Sequence, residues 1–152
     1  MATLSASRAA CSTAARSLSL CEIDIHGEVP RVEYEKLTDE RLGKPSADIR
    51  ARIEEAREMQ RQRFAGMMGG AAGRTQLLCN ADMGPAEVRE QCRLDDAGKS
   101  LLRAAMSQLG MSARAFHRIL KLARTIADLE GAAEIKTHHL AEAIQYRPRR
   151  QT

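Results

Sequence analysis

Apolar residues recur at intervals of three and four along much of the chain, which is the period of an amphipathic helix. The pattern is clearest over residues 112–129, where the apolar stripe consists of Phe116, Ile119, Leu120, Ala123, Ile126 and Ala127. Ser112 is a suitable N-cap, and Gly131 can adopt the left-handed conformation that closes a helix. We therefore predict a central helix over 112–129 that buries one face.

The same period predicts four further helices, two of them short, over 46–64, 85–92, 96–109 and 137–147. The expected boundary residues are Pro45, Pro85, Asp95 or Asp96, Gly110, Thr137 as an N-cap, and Pro148. The residues expected to face inward are Ile49, Ile53, Ala56, Gln60 and Phe64 on the first helix, Leu101, Leu102, Ala105, Met106 and Leu109 on the third, and Leu140, Ala141 and Ile144 on the last.

Residues 22–32 show a different pattern, because apolar Ile23, Ile25 and Val29 alternate with polar residues. This alternation predicts one β-strand that ends at Pro30, a residue that cannot donate to a sheet. No second strand is evident, so its partner is either hidden elsewhere in the chain or lies in a sheet outside it. The fold class predicted is an all-α bundle of about five helices with one stray N-terminal strand.

Composition agrees with helices. Aromatic residues make up 3% of the chain and Trp is absent, so the core must be aliphatic. No apolar run approaches the roughly 20 residues of a membrane span, and we expect a cytoplasmic protein. Charge is uneven, because residues 98–152 hold ten Lys and Arg against four acidic residues, a net +6. This excess indicates either a solvated basic face or a contact surface for phosphate or nucleic acid.

Motifs for catalysis or metal binding are not recognisable. Gly98, Lys99 and Ser100 resemble the end of a phosphate-binding loop, but Arg93 stands where the first glycine of that loop is required. The four cysteines contain no C-x-x-C pair, so we expect reduced thiols and no metal site. On the central helix, Arg114, Arg118, Lys121 and Arg124 fall largely off the apolar stripe and are predicted to form a basic flank.

A family resemblance adds to this interpretation. The segments LGMSARAFHRILKLARTIADLEG and IKTHHLAEAIQYR closely resemble the C-terminal domain of magnesium-chelatase-like AAA+ ATPases. The similar subgroup is ComM/YifB, which is associated with natural transformation and DNA branch migration. DIHGEVPRVEYEKL, SADIRARIEEAREMQRQRF and CNADM follow the same order as in the family, so the resemblance covers roughly residues 20–148.

The resemblance implies that the helical bundle is a lid that closes over a nucleotide held by a separate ATPase core. Arg114 matches the family's sensor-2 arginine, which reaches the nucleotide phosphates, and Arg118 and Lys121 are expected to support it. ATP and Mg²⁺ are implied only for the full-length family members, whereas no cofactor is expected for this chain alone. A core domain, or full-length subunits of a hexameric ring, is the implied partner.

The sequence departs from the family in two places. The family's L-D-R triplet, whose arginine acts on the neighbouring subunit's ATP, corresponds here to Leu20, Cys21 and Glu22. An acidic residue there would repel a γ-phosphate. Walker A and Walker B motifs are absent from the sequence, so we expect no ATPase activity from this chain alone.

These features define four segments and three hypotheses. The segments are a disordered or remnant stretch (1–19), a strand and connector left from an ATPase core (20–44), the helical domain (45–148) and a basic tail (149–152). The first hypothesis is a truncated ATPase subunit. The second is a basic helical module that binds nucleic acid through Arg147, Arg149 and Arg150. The third is a docking partner of a full-length ATPase.

Overall fold

The computed structural model describes residues 25–27, 29–34, 43–65 and 77–147. In these ranges the chain forms five α-helices, whose bounds are Ser46–Ala65 (α1), Pro85–Gln91 (α2), Asp96–Leu109 (α3), Ala113–Leu129 (α4) and Thr137–Gln145 (α5). A 3₁₀ turn, Asn80–Asp82, precedes α2. The predicted all-α bundle of about five helices is confirmed.

Helix α4 is the centre of the bundle. It packs against α5, α1, α2 and the 3₁₀ turn, while α5 also packs against α3. Ala123 and Ala127 of α4 are completely buried, and their small side chains let neighbouring helices approach closely. The mostly aliphatic core around α4 includes Met83, Val88, Leu102, Ile119 and Leu140, together with the aromatic Phe64.

Most of the predicted capping residues lie at the helix ends in the structure. The Ser112 hydroxyl accepts a hydrogen bond from the Ala115 N–H at 3.3 Å, and the Asp95 carboxylate accepts one from the Gly98 N–H at 2.7 Å. Gly110 closes α3 in the left-handed conformation, with φ +57°. Thr137 was wrongly predicted as an N-cap, because the cap is Lys136 and Thr137 is already the first helical residue.

The predicted strand is not formed in the described part of 22–32. Residues 25–27 and 29–32 are neither helix nor strand, and the paired backbone that the structure does show is an isolated bridge between Leu94 and Ile135. A strand needs a neighbour to accept and donate its backbone hydrogen bonds. The described residues supply no such neighbour, and the His26 N–H instead donates to the Tyr146 carbonyl at 2.8 Å.

Three residues predicted to face inward are exposed instead. Ile49 and Ile53 are 40% and 39% exposed because the first half of α1 extends beyond the bundle, and only the second half buries Ala56, Gln60 and Phe64. Leu109 is 43% exposed in the last turn of α3. The glycine-rich stretch 66–73 lies outside the described residues.

Candidate functional site

Polar and cationic side chains of α4 line a groove on the surface of the bundle. The groove has a volume of about 610 Å³ and lies between α4, the chain from the 3₁₀ turn to the start of α2, and Ile25. Its lining residues are Ile25, Ala81, Met83, Gly84, Pro85, Arg114, His117, Arg118, Lys121, Leu122 and Thr125. The groove is therefore lined by both apolar and cationic side chains.

Arg114 is the most exposed of the predicted cations. It lies in the first turn of α4, two residues after the N-cap Ser112, while Arg118 and Lys121 are half-buried one and two turns further on. The first backbone N–H groups of a helix carry a partial positive charge, which adds to the charge of a guanidinium placed beside them. Arg114, Arg118 and Lys121 are thus brought together on one wall, as the sequence predicted.

Lys121 also has a structural contact. Its ammonium donates to the Ala81 carbonyl at 2.7 Å, which fastens the 3₁₀ turn to α4. The carboxylate of Asp82 closes the same turn and has a lowered pKa, mainly because the backbone N–H of Leu78 donates to it, with smaller contributions from Cys79 and Lys121. An ammonium has three hydrogens, so Lys121 can hold this carbonyl and still face the groove.

Arg124 corrects the prediction of a four-residue basic flank. It is 2% exposed and donates from Nε to the Asp128 carboxylate at 3.0 Å and from a terminal nitrogen to the Ala133 carbonyl at 2.9 Å. A guanidinium is buried only when its charge and its N–H groups are satisfied, and here both conditions are met. Arg124 therefore stabilises the turn after α4 and is not available to a ligand.

Asp128 is the centre of a buried polar network that the sequence did not reveal. Its side chain is fully buried and accepts hydrogen bonds from Arg63 of α1 at 2.9 Å and from the Asn80 amide at 2.8 Å, besides the one from Arg124. Burial alone would raise the pKa of Asp128, but the bonds from Arg63 and Asn80 and the charge of Arg124 outweigh it and lower that pKa. The network joins α1, the 3₁₀ turn and α4 beside the groove.

His117 is a groove residue that the sequence analysis missed. It lies three residues after Arg114 on α4, which places the two on the same side of the helix. The helical spacing from Arg114 was the signal that could have identified it. Its ring also contacts Phe116 edge-on, with ring centroids 5.4 Å apart.

The other predicted site residues do not join this groove in the described structure. Arg147 is half-buried and donates to the Ala115 carbonyl at 3.4 Å, at the start of α4. Glu22, Arg149 and Arg150 lie outside the described residues. Their predicted roles stay predictions.

A second polar cluster, at the turn between α4 and α5, consists of Glu130, His138 and His139. One nitrogen or oxygen of each lies within 4.8 Å of the others, a spacing that a metal ion could bridge. However, Nδ1 of the buried His139 accepts the Lys136 N–H at 3.0 Å, so its proton must be on Nε2, which faces Glu130. A metal on Nε2 would require the proton on Nδ1, where the backbone N–H already points. The arrangement therefore fits a hydrogen-bonded helix start and not a metal centre.

Hydrogen bonds within this cluster stabilise the negative charge of Glu130. Donation from His138 and then His139 lowers the pKa of Glu130 to about 2.

Two cysteines lie in the described part of the chain. Cys79 and Cys92 are free thiols, and burial raises the pKa of Cys92 to about 11. None of the helices described here is long and apolar enough to cross a membrane.

Comparison with known proteins assigns the family. The sequence model described as "Magnesium chelatase, subunit ChlI C-terminal" matches residues 43–147. The chain is 39% identical over 130 residues to Competence protein ComM of Haemophilus influenzae, which covers 84% of this chain and 23% of that protein. It is 36% identical over 105 residues to the Uncharacterized protein YifB of Escherichia coli, covering 69% of this chain and 18% of that protein. The chain thus spans about a fifth of the length of these relatives, and it belongs to the magnesium chelatase ChlI C-terminal family as a domain of the ComM/YifB type.

Proposed function

We propose that this domain is the lid of a magnesium-chelatase-like ATPase and contacts the phosphates of ATP through Arg114. The observation that carries the proposal is the position of Arg114, exposed in the first turn of α4 on a groove that Arg118 and Lys121 also line. Anions bind favourably at such a helix start, and a guanidinium can donate two parallel hydrogen bonds to phosphate oxygens.

The groove suits a nucleotide in size and in polarity. Its volume of about 610 Å³ falls in the range of small-molecule sites. The apolar side chains of Met83, Pro85 and Leu122 line it together with the cations. An adenine or ribose can contact the apolar side chains while the phosphates contact the cations, so both kinds of lining side chain suit a nucleotide.

The domain supplies cations and leaves the metal to other residues. Among the described residues that line the groove, none is Asp or Glu. Mg²⁺ prefers oxygen ligands, usually one or two carboxylates together with phosphate oxygens and water. We therefore assign Mg²⁺ to an ATPase core and assign to this domain only the neutralisation of phosphate charge.

The proposal includes no hydrolysis by this chain alone, because its sequence has no Walker motifs. Its partners are an ATPase core or full-length subunits of a cytoplasmic ring, and Glu22 would weaken the neighbouring ATP site in such a ring. We also propose a role in DNA processing, which the resemblance to the ComM/YifB subgroup implies, and one relative is named a competence protein.

The test is a titration of the isotopically labelled chain with MgATP, followed by backbone NMR. We expect weak binding, with dissociation constants of about a millimolar since few contacts are made, and shifts centred on Gly84, Arg114, His117 and Arg118. Arg114→Ala should abolish these shifts. Lys99→Ala is the matched control, because Lys99 is exposed on α3 and pairs with Asp96. Shifts that persist unchanged in Arg114→Ala would overturn the proposal.

Nucleic-acid binding is the alternative, and the net +6 of residues 98–152 supports it. Such binding would be indifferent to sequence and would weaken steeply with salt. Charge reversal at Arg147, Arg149 and Arg150 should then reduce affinity for a DNA duplex. Unchanged affinity for the duplex would contradict nucleic-acid binding through these arginines, and the lid would remain as the proposed function.

A further inference from the structure

Residues 25–27, which we call the strap, contact the helical domain at both its C-terminal end and its groove. The His26 N–H donates to the Tyr146 carbonyl at 2.8 Å, directly after the end of α5. The preceding residue, Ile25, lines the groove that holds Arg114 and Arg118. A segment that precedes the domain in sequence therefore forms part of the wall of its candidate site.

The hydrogen bond to Tyr146 stabilises the docked position of the strap. The last carbonyls of a helix have no partner within the helix and must find a donor elsewhere. The His26 N–H supplies one for the residue that caps α5. Releasing the strap would return that carbonyl to water and would remove Ile25 from the groove.

One feature of the docked strap is energetically unfavourable. Within the described residues, Nε2 of His26 is buried and has no hydrogen-bond partner. A buried polar atom without a partner loses its hydration and gains nothing in return. Among the described residues that follow Gly27, Val29 is 89% exposed and Val32 is 51% exposed. In the part of the chain that the structure describes, the backbone bond to Tyr146 and the placement of Ile25 in the groove wall thus favour the docked position, and the unsatisfied nitrogen opposes it.

We propose that the strap is a docking element that sets the shape of the groove and thereby its affinity for phosphate. When the strap is docked, the groove still has about 610 Å³ of space, so Ile25 completes a wall and does not block entry. When the strap is released, the groove loses an apolar side chain beside its cations. Tension or movement in the chain before Ile25 would in this way alter phosphate binding without touching Arg114. The affinity part of this proposal rests on the proposed function.

Two substitutions at His26 act on the strap in opposite directions. His26→Pro removes the N–H that donates to Tyr146 and should release the strap. His26→Phe keeps the backbone donor and replaces the unsatisfied ring nitrogens by carbon, so it should hold the strap more firmly. Val32→Pro is the control for introducing proline into an exposed part of the same segment. Ile25→Ala, with Val29→Ala as its control, tests the groove wall directly.

The first measurement needs no ligand. Amide hydrogen exchange of Tyr146 and its neighbours, and NMR shifts of His117, Arg118 and Leu122, should change in His26→Pro and Ile25→Ala and stay as in the unmodified chain in both controls. Hydrogen exchange at residue 26 should slow in His26→Phe. If the groove shifts of His26→Pro equal those of Val32→Pro, the strap does not shape the groove and the proposal is wrong.

The second measurement is the affinity for inorganic tripolyphosphate, which reports the cationic wall. Loss of one backbone hydrogen bond lowers the ratio of docked to released strap by about fivefold, so the affinity of His26→Pro for tripolyphosphate should fall by at most that factor. Equal affinities in His26→Pro and Val32→Pro would overturn the coupling. If the unmodified chain binds no tripolyphosphate and no MgATP, the proposed function fails, and the ligand-free shifts alone decide whether the strap shapes the groove.

Discussion

Replacing Asp128 by Asn should destabilise the domain far more than its small change in volume suggests. The carboxylate is fully buried and shared by two guanidiniums, those of Arg63 and Arg124, whose side chains are 14% and 3% exposed. Asn keeps the shape but removes the negative charge, so two buried cations would face each other without an anion. Breaking a buried ion pair by removing one partner costs about 3–5 kcal/mol in the free energy of unfolding.

That loss is large against the total stability of a domain of this size, about 5–15 kcal/mol. Since 1 kcal/mol corresponds to roughly 4–8 °C for 60–100 residues, the melting temperature should fall by at least about 12 °C. Circular dichroism at neutral pH measures both changes, with urea denaturation for the free energy of unfolding and a thermal scan for the melting temperature. Asp96→Asn is the matched control, because Asp96 is 98% exposed in its pair with Lys99 and should leave the melting temperature unchanged.

The sign of the pH dependence gives an independent check. The pKa of Asp128 is lowered on folding from an ordinary value of 3.8, so its contribution is complete above that value. The contribution is lost as the pH falls from about 4 through the still lower folded pKa. The difference between the unmodified chain and Asp128→Asn should therefore narrow in acid. Equal melting temperatures of Asp128→Asn and Asp96→Asn at neutral pH would refute the reasoning that the buried charge is essential.

Four shorter predictions concern other parts of the domain. His139→Gln should lower the free energy of unfolding, measured by urea denaturation, by about 1–3 kcal/mol, because a fully buried ring that accepts the Lys136 N–H is lost. His138→Gln is the control, because His138 is exposed and its replacement should leave the urea denaturation curve unchanged. Gly110→Ala should cost about 1 kcal/mol because φ is +57° there, and unchanged denaturation would contradict that conformation. The Glu130 carboxylate, followed by carbon NMR, should titrate near pH 2 and return towards its ordinary range in the His138→Gln, His139→Gln double variant. Iodoacetamide at about pH 8 should modify Cys79 and spare Cys92 until urea is added, as peptide mass spectrometry would show, because a buried thiol with a raised pKa forms little thiolate.

Helix α4 was predictable from sequence because its signals are local. Its apolar period, the Ser112 cap and the following Gly131 all lie within twenty residues, and the structure confirms each of them. The fate of Arg124 was not predictable in the same way. Its position on a helical wheel suggests a surface cation, and its burial depends on Asp128 and on turn carbonyls that only the folded chain brings near.

The candidate site was predictable only in part. Helical spacing could place Arg114, Arg118 and Lys121 on one side, but an arginine at a helix start is too common to indicate a ligand by itself, so the site depended on the family resemblance. The groove wall formed by Ile25 and Met83 comes from segments far apart in sequence. The described residues of 22–32 form no strand for a related reason, because an alternating pattern does not supply the neighbouring strand that it must pair with.

The half-exposed helix α1 gives the domain a lever. Its anchor is Arg63 on Asp128, and Ser46 lies seventeen residues before that anchor along a continuous helix. At 1.5 Å per residue the arm is roughly 25 Å long, so a tilt of about 10° at the anchor moves Ser46 by about 4 Å. The first ten residues of this arm are all exposed, so the bundle holds α1 mainly through Ala56, Gln60 and Phe64 in its second half. A subtle rearrangement around Asp128 would thus reach Ser46 as a displacement larger than a hydrogen bond is long.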